Sequence, residues 1–217
     1  MKALDETKDQ SYVLYSMTQE QLMHTLFPLG NLKKTEVRKI ADNNCFINAS
    51  KPDSQDICFV PDGDYAKFLT HETGKEYKKG DFVDEQGNVL GRHEGIVHYT
   101  IGQRKGLGIS FGKPMYVKKI NMSDNIVVLG AEEELYSKSF YVDDFNWISG
   151  EAVNGEITCK VKVRYRQKEQ PAKVYVISDR KVKIEFDTPQ RAITPGQAAV
   201  LYDGDVVLGD GTIESVI

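Results

Sequence analysis

The segment Asp53-Ser54-Gln55-Asp56-Ile57-Cys58-Phe59-Val60 places one cysteine just past a polar, turn-prone stretch and at the head of a short apolar run. A turn feeding a strand presents a side chain from a rigid support, and a thiol becomes chemically useful where its surroundings favour the thiolate. Cys58 is therefore the leading catalytic candidate. The same eight residues also read as a buried strand, with Cys58 packed beside Ile57, Phe59 and Val60 as a small hydrophobe.

A second chemical signal is cationic. In Lys160-Val161-Lys162-Val163-Arg164-Tyr165-Arg166 the two-residue period of a strand would put Lys160, Lys162, Arg164 and Arg166 on one face and Val161, Val163 and Tyr165 on the other. Like charges in a row repel, and an anionic partner such as an RNA backbone relieves the repulsion. The other reading is a solvated exterior whose charges are offset by acidic neighbours. The chain carries a net charge of −4, yet between Lys160 and Arg191 ten basic residues stand against four acidic ones, and a local basic patch is the better guide to a phosphate-binding face. Gly102-Gln103-Arg104-Lys105-Gly106-Leu107-Gly108 is a glycine-hinged basic loop that could approach a polyanion closely, or simply turn between strands. Cys45 follows Asn43-Asn44 at an expected helix end, and Cys159 reads as a core residue. Three scattered cysteines make no disulfide framework, and with four histidines off ligand spacing they make no zinc site, so no metal is expected.

The elements that must position these residues change along the chain. Its first third reads as helical: one helix capped by Thr18 and running through Leu26 and Phe27 to Pro28 and Gly30, a second from Thr35 to Asn43-Asn44, and a short third over Asp64–Leu69. Beyond about Gly74 strands dominate. Asp81–Asp84 and Val89–Gly91 flank a turn, Met115–Val117, Ile126–Leu129 and Ser139–Val142 follow, and Lys181-Val182-Lys183-Ile184-Glu185-Phe186 alternates strictly, as a half-buried strand does. Lys173–Ile177 precedes it across a three-residue turn, and Ala198–Tyr202, Val206–Leu208 and Thr212–Ile217 follow as separate strands. So many short strands in so few residues favour closure into a small barrel. The expected class is α+β, mainly β. At 217 residues and 40% hydrophobic content there is enough chain for one large domain or two to three small ones. No apolar run approaches the roughly 20 residues that cross a bilayer, and nothing reads as a signal peptide, so the expected location is cytoplasmic, with no membrane partner.

Taken in order, Lys8-Asp9-Gln10-Ser11-Tyr12, the Cys58 segment, His98-Tyr99-Thr100-Ile101 with the basic loop to Gly108, Val163-Arg164-Tyr165-Arg166-Gln167 and Thr194-Pro195-Gly196-Gln197 resemble the bacterial tRNA-specific 2-thiouridylase family over nearly the whole chain. Members of that family open with a Ser-Gly-Gly-Val-Asp-Ser phosphate loop, which is lacking here. The glycines of Gly106-Leu107-Gly108 and Gly209-Asp210-Gly211 do not follow the strand, loop and helix order that cradles phosphate. The chain is accordingly read as a C-terminal fragment without the N-terminal ATP pyrophosphatase loop.

The resemblance implies three parts: residues 1–64, a helical tail of an α/β catalytic domain that carries Cys58; residues 65–133, a small central β-rich domain; and residues 134–217, a C-terminal antiparallel β-barrel that binds tRNA. It implies ATP-dependent 2-thiolation of the wobble uridine of tRNA by the intact parent, with ATP and Mg²⁺ bound outside this fragment and none bound by it, so that the fragment alone is inactive. Cys58 matches the persulfide carrier, and Lys8, Asp9, Gln10, Arg164, Tyr165 and Gln197 match tRNA contacts. Gln103, Arg104, Lys105, Lys160, Lys162 and Arg166 are further candidates for tRNA contact. A cysteine desulfurase or sulfur-relay protein would supply the sulfur. The competing expectation is a non-catalytic RNA-binding β-barrel associated with translation.

Overall fold

The computed structural model describes residues 1–53, 60, 63–149 and 155–217. Cys58 lies outside the described residues. Two units emerge: one of Met1–Lys51, Ser137–Pro189 and Ile193–Ile217, the other of Pro52–Tyr136 and Gln190–Ala192.

In the first unit, helix α1 (Gln19–Met23) begins where Thr18 and Gln21 exchange side-chain bonds with each other's backbone amides, a capping box. It stops at His24 instead of reaching Gly30. Phe27 precedes Pro28, which disfavours helical backbone. Leu26 is 90% exposed, so no packing supports a further turn. Helix α2 (Lys34–Asn43) runs as the sequence predicts and ends at Asn44. No residue of α1 or α2 is buried, and Met23, Leu26, Phe27, Leu29, Ile40, Phe46 and Ile47 all stand exposed.

The second unit opens with helix α3 (Tyr65–Thr73), capped by the Asp64 carboxylate on the Lys67 amide and closed by Gly74 at φ 63°. Strands β1 (Gly80–Val83), β2 (Val89–His93), β3 (Tyr116–Asn121) and β4 (Ile126–Gly130) then form a sheet in the order β2-β1-β4-β3. Only the β1/β4 pair is parallel. The β1–β2 turn closes on Asp84, whose carboxylate accepts from the amides of Gln86 and Asn88 and from the Asn88 side chain. Phe82, Val117, Val127 and Leu129 form the core of this unit, beside Tyr99 and Leu107.

The first unit also holds, except for Tyr136 and the Gln190–Arg191 end of β8, a closed barrel of β5 (Tyr136–Asn146), β6 (Glu156–Lys162), β7 (Gln170–Ser178), β8 (Lys181–Arg191), β9 (Ala198–Asp203) and β10 (Val206–Val216), in the order β10-β5-β8-β7-β6-β9. Alternation in β8 buries Val182, Ile184 and Phe186, which meet Phe140, Val142, Val161, Val174, Leu201 and Ile213 inside the barrel. The expected mainly β class, with a few helices and a C-terminal barrel, is what the structure has.

Three local expectations are corrected. The cationic strand ends at Lys162, because β6 pairs with β7 only as far as Val161 opposite Gln170 and the chain must turn back; Arg164–Gln167 is a turn closed by the Gln167 amide on the Arg164 carbonyl. Val206–Leu208 and Thr212–Ile217 belong to one strand, β10, whose register shifts near Gly209 and Gly211 absorb the glycines as irregularities. Ser178 pairs with Lys181, so the β7–β8 turn has two central residues, Asp179 and Arg180. Among the described residues no helix is long and apolar enough to cross a membrane.

Candidate nucleic-acid interface

Strand β9 is buried on both faces from Ala198 to Tyr202. Ala199 and Leu201 face the barrel core, whereas Ala198, Val200 and Tyr202 form a separate apolar cluster with Tyr12 and Val207. Residues 9–15 make this possible by lying as a strap over the outside of the barrel. Asp9 shapes the strap: its carboxylate accepts from the Ala3 amide at 3.0 Å, the Ser11 amide at 3.2 Å and the Ser11 hydroxyl at 2.5 Å. The Gln10 carbonyl then takes the amides of Val13 and Leu14. Tyr12 donates its hydroxyl to the Ala198 carbonyl at 3.0 Å, and the Ser11 and Tyr202 hydroxyls lie 3.3 Å apart. Burial pushes the Tyr12 hydroxyl up to about 12 and raises that of Tyr202, so both stay protonated donors at neutral pH.

The strap delivers Gln10 to the 164–167 turn, where its side-chain amide donates to the Tyr165 hydroxyl at 2.8 Å. Tyr165, expected on the core face of a strand, is 41% exposed in the turn, and its ring packs 6.2 Å from that of Tyr12. The preceding Arg164 donates to the Thr194 hydroxyl at 2.9 Å. Thr194 in turn takes the Gln197 amide on its carbonyl, in a turn that leaves the Gln197 side chain exposed. Gln10, Arg164, Tyr165 and Gln197, separated by up to 187 positions, are thus joined through Thr194 and one tyrosine hydroxyl.

The four cations expected in one row part company. Lys160 and Arg166 are exposed, Arg164 is half-buried against Thr194, and Lys162 is half-buried with its ammonium 5.7 Å from the Tyr12 ring centroid and 5.9 Å from that of Tyr202. In the other unit, Gln103 fastens its own loop. Its side-chain oxygen accepts from the Thr100 amide and its side-chain nitrogen donates to the Lys105 carbonyl, while Arg104 and Lys105 stand exposed. The root of that loop is held by Arg191, which donates to the Gly102 carbonyl at 3.0 Å and lies over the Tyr116 ring.

Sequence reasoning gave no role to Tyr202, nor to Tyr12 and Thr194 within the segments that carry the resemblance. The signal for the first two was the unbroken apolar run Ala198-Ala199-Val200-Leu201-Tyr202, which asks for cover on both faces. Cys159 is buried, and burial pushes its thiol up to about 12; Cys45 is exposed. No group of three or more His, Cys, Asp or Glu side chains among the described residues is placed to hold a metal ion. Gly106 and Gly108 lie in a loop without a following helix, and Gly209 and Gly211 lie within β10.

Three family profiles match the chain in succession: the tRNA methyl transferase HUP domain over residues 1–62, the tRNA methyl transferase PRC-barrel domain over 66–131 and the aminomethyltransferase beta-barrel domain over 137–213. The tRNA-specific 2-thiouridylase MnmA of Acetivibrio thermocellus is 54% identical over 213 residues, which cover 98% of this chain and 59% of that protein. The proteins of the same name from Desulfitobacterium hafniense and Clostridioides difficile are 48% and 49% identical, covering 96% and 98% of this chain and 59% of each relative. The chain therefore spans about three fifths of the length of these curated relatives. With relatives of 48–54% identity covering 96–98% of it, and three successive profiles matched along it, the chain belongs to the tRNA-specific 2-thiouridylase family.

Proposed function

We propose that this chain is the RNA-holding and sulfur-carrying portion of an enzyme that replaces the C2 oxygen of the wobble uridine of tRNA with sulfur. The observation that carries the RNA half of the reading is the linkage of Gln10, Tyr165, Arg164, Thr194 and Gln197 on one side of the barrel. A guanidinium, a half-exposed aromatic ring and two amides suit a strand of RNA: charge for phosphate, a ring face for an unstacked base, amides for base or sugar edges. Lys8 belongs to the same loop, and Asp9 serves it by holding the turn. Lys160, Arg166 and the Gln103-Arg104-Lys105 loop would add contacts to the phosphate backbone.

In this reading Cys58 bears the persulfide, whose terminal sulfur attacks C2; a second thiol outside this chain then attacks the Cys58 sulfur, breaking its bond to the transferred sulfur, so that the thiouridine leaves and a disulfide between the two cysteines remains. Cys159 is not assigned that role, because it is buried and burial pushes its thiol up, away from the thiolate. ATP with Mg²⁺ would supply a leaving group on the C2 oxygen. The glycine pairs at 106/108 and 209/211 lack the loop-to-helix order of a phosphate cradle, and we assign the ATP site to the part of the relatives that this chain does not span. Residues 1–64 are assigned to the catalytic domain, 65–133 to the central domain and 134–217 to the tRNA-binding barrel. A cysteine desulfurase or sulfur relay would charge Cys58, in the cytoplasm.

Titration of this chain with unmodified tRNA bearing a wobble uridine, at two salt concentrations and beside Arg164→Ala, tests the reading. Salt-sensitive binding, weakened about tenfold or more by the substitution, is expected. No binding at low salt would overturn it. Cys58→Ser in a full-length parent should abolish thiolation and leave tRNA affinity within about threefold.

A further inference from the structure

Two lysines of β6 share its outer face, and the structure treats them differently. Lys160 stands exposed opposite Tyr202, whereas Lys162, opposite Val200, is half-buried where the strap crosses the strand. No ion pair joins Lys162 among the described residues. Its ammonium lies instead within 6 Å of the centroids of two rings, one from the strap (Tyr12) and one from β9 (Tyr202). Tyr202 is fully buried, and its other cationic neighbour, Lys2, is occupied by Glu169 at 2.6 Å and by the Gly204 carbonyl at 2.7 Å.

A cation shared by two ring faces attracts both, and the attraction grows as water is excluded. One of these rings moves with the strap and the other belongs to the barrel wall. Tyr12 also packs against Tyr165, which receives the Gln10 amide. Whatever holds Tyr12 down therefore fixes the Gln10–Tyr165 pair.

Building on the reading of this face as an RNA interface, we propose that Lys162 is a positioning residue rather than a phosphate contact: it clamps the strap to the barrel through Tyr12 and Tyr202, and so holds Gln10 and Tyr165 in the arrangement that meets RNA.

The two roles separate on salt dependence. A lysine that neutralises a phosphate contributes about one unit to the slope of log K against log salt, and a lysine that acts through its neighbours contributes none. Lys162→Met keeps the stem and removes the charge; Lys162→Arg keeps a cation over both rings; Lys160→Met is the comparison on the same face. We expect Lys162→Met to weaken tRNA binding about 5-fold or more with an unchanged slope, Lys162→Arg to restore it to within about twofold, and Lys162→Met to add nothing to Gln10→Ala. A slope lower by about one unit, unchanged affinity, or full additivity with Gln10→Ala would each overturn the proposal. Amide hydrogen exchange at Val13 and Leu14, both bonded to the Gln10 carbonyl, reads the clamp without RNA. It should accelerate in Lys162→Met and recover in Lys162→Arg, and identical exchange in all three proteins would refute the clamp. Absence of tRNA binding by the unsubstituted chain would instead count against the RNA reading alone.

Discussion

Replacing Asp210 with Asn should make the protein more stable above neutral pH, and the gain can be worked from its surroundings. Asp210 lies in β10 opposite Asn146 with 2% of its surface exposed. Asn146 donates one side-chain hydrogen to this carboxyl and another to the Met17 carbonyl, while the second carboxyl oxygen of Asp210 has no partner among the described residues. Burial, only partly offset by the Asn146 bond, raises the acid to about 7 from an ordinary 3.8. A carboxyl whose folded value lies above its unfolded one holds its proton more tightly when folded. Its contribution is complete at acid pH and is lost as pH climbs from about 4 through about 7. At about 1.4 kcal/mol per unit, the part of that window above pH 5 amounts to roughly 2–3 kcal/mol. Asn cannot ionise and keeps an acceptor for Asn146, so its stability lacks this fall. Urea unfolding of both proteins from pH 5 to 8.5 supplies the assay, and the difference between the curves cancels every other titrating group. A gap that widens by about 2–3 kcal/mol and levels off above pH 7 is expected; parallel curves would refute the argument that Asp210 is folded as a neutral acid.

Thr194→Val removes the hydroxyl that receives Arg164 and should cost about 1 kcal/mol of tRNA affinity, close to fivefold, with an unchanged circular dichroism spectrum. Gly102→Ala should destabilise the second unit by about 1–3 kcal/mol in urea titration, because Gly102 has φ 88° and an added Cβ would sit 2.9 Å from the Ala192 Cβ. Cys159 should resist iodoacetamide at pH 7.5 in the folded protein and react once unfolded, whereas exposed Cys45 should react in both states; mass spectrometry of the tryptic peptides separates them.

What the sequence discloses depends on whether a residue's role is set by its strand neighbours or by a distant segment. Lys181–Phe186 was legible because strict alternation needs only one wet face and one dry face, and the capping of α1 at Thr18 was legible because its partner, Gln21, lies three residues on. The row Lys160–Arg166 misled because a period continues in the sequence past the point where the ladder ends: nothing local to Arg164 says that β7 begins pairing at Gln170. The strap was invisible for the same reason. Tyr12 and Ala198 are 186 residues apart, and only the fold makes one the lid of the other. Gln10, Arg164, Tyr165 and Gln197 could be picked out by resemblance, yet Thr194, which joins two of them, stood out only once its hydroxyl and carbonyl had geometry.

The exposed apolar side chains between Met23 and Ile47 also govern how the chain behaves in a test tube. The barrel has closed its ladder on itself and offers no edge for another strand to add to. Seven large hydrophobes in a stretch of 25 residues are, in contrast, an adhesive facing water. Self-association at high concentration, dye uptake and precipitation by sulfate should therefore all trace to this stretch, and polar substitutions there should improve solubility without altering the melting of the sheets.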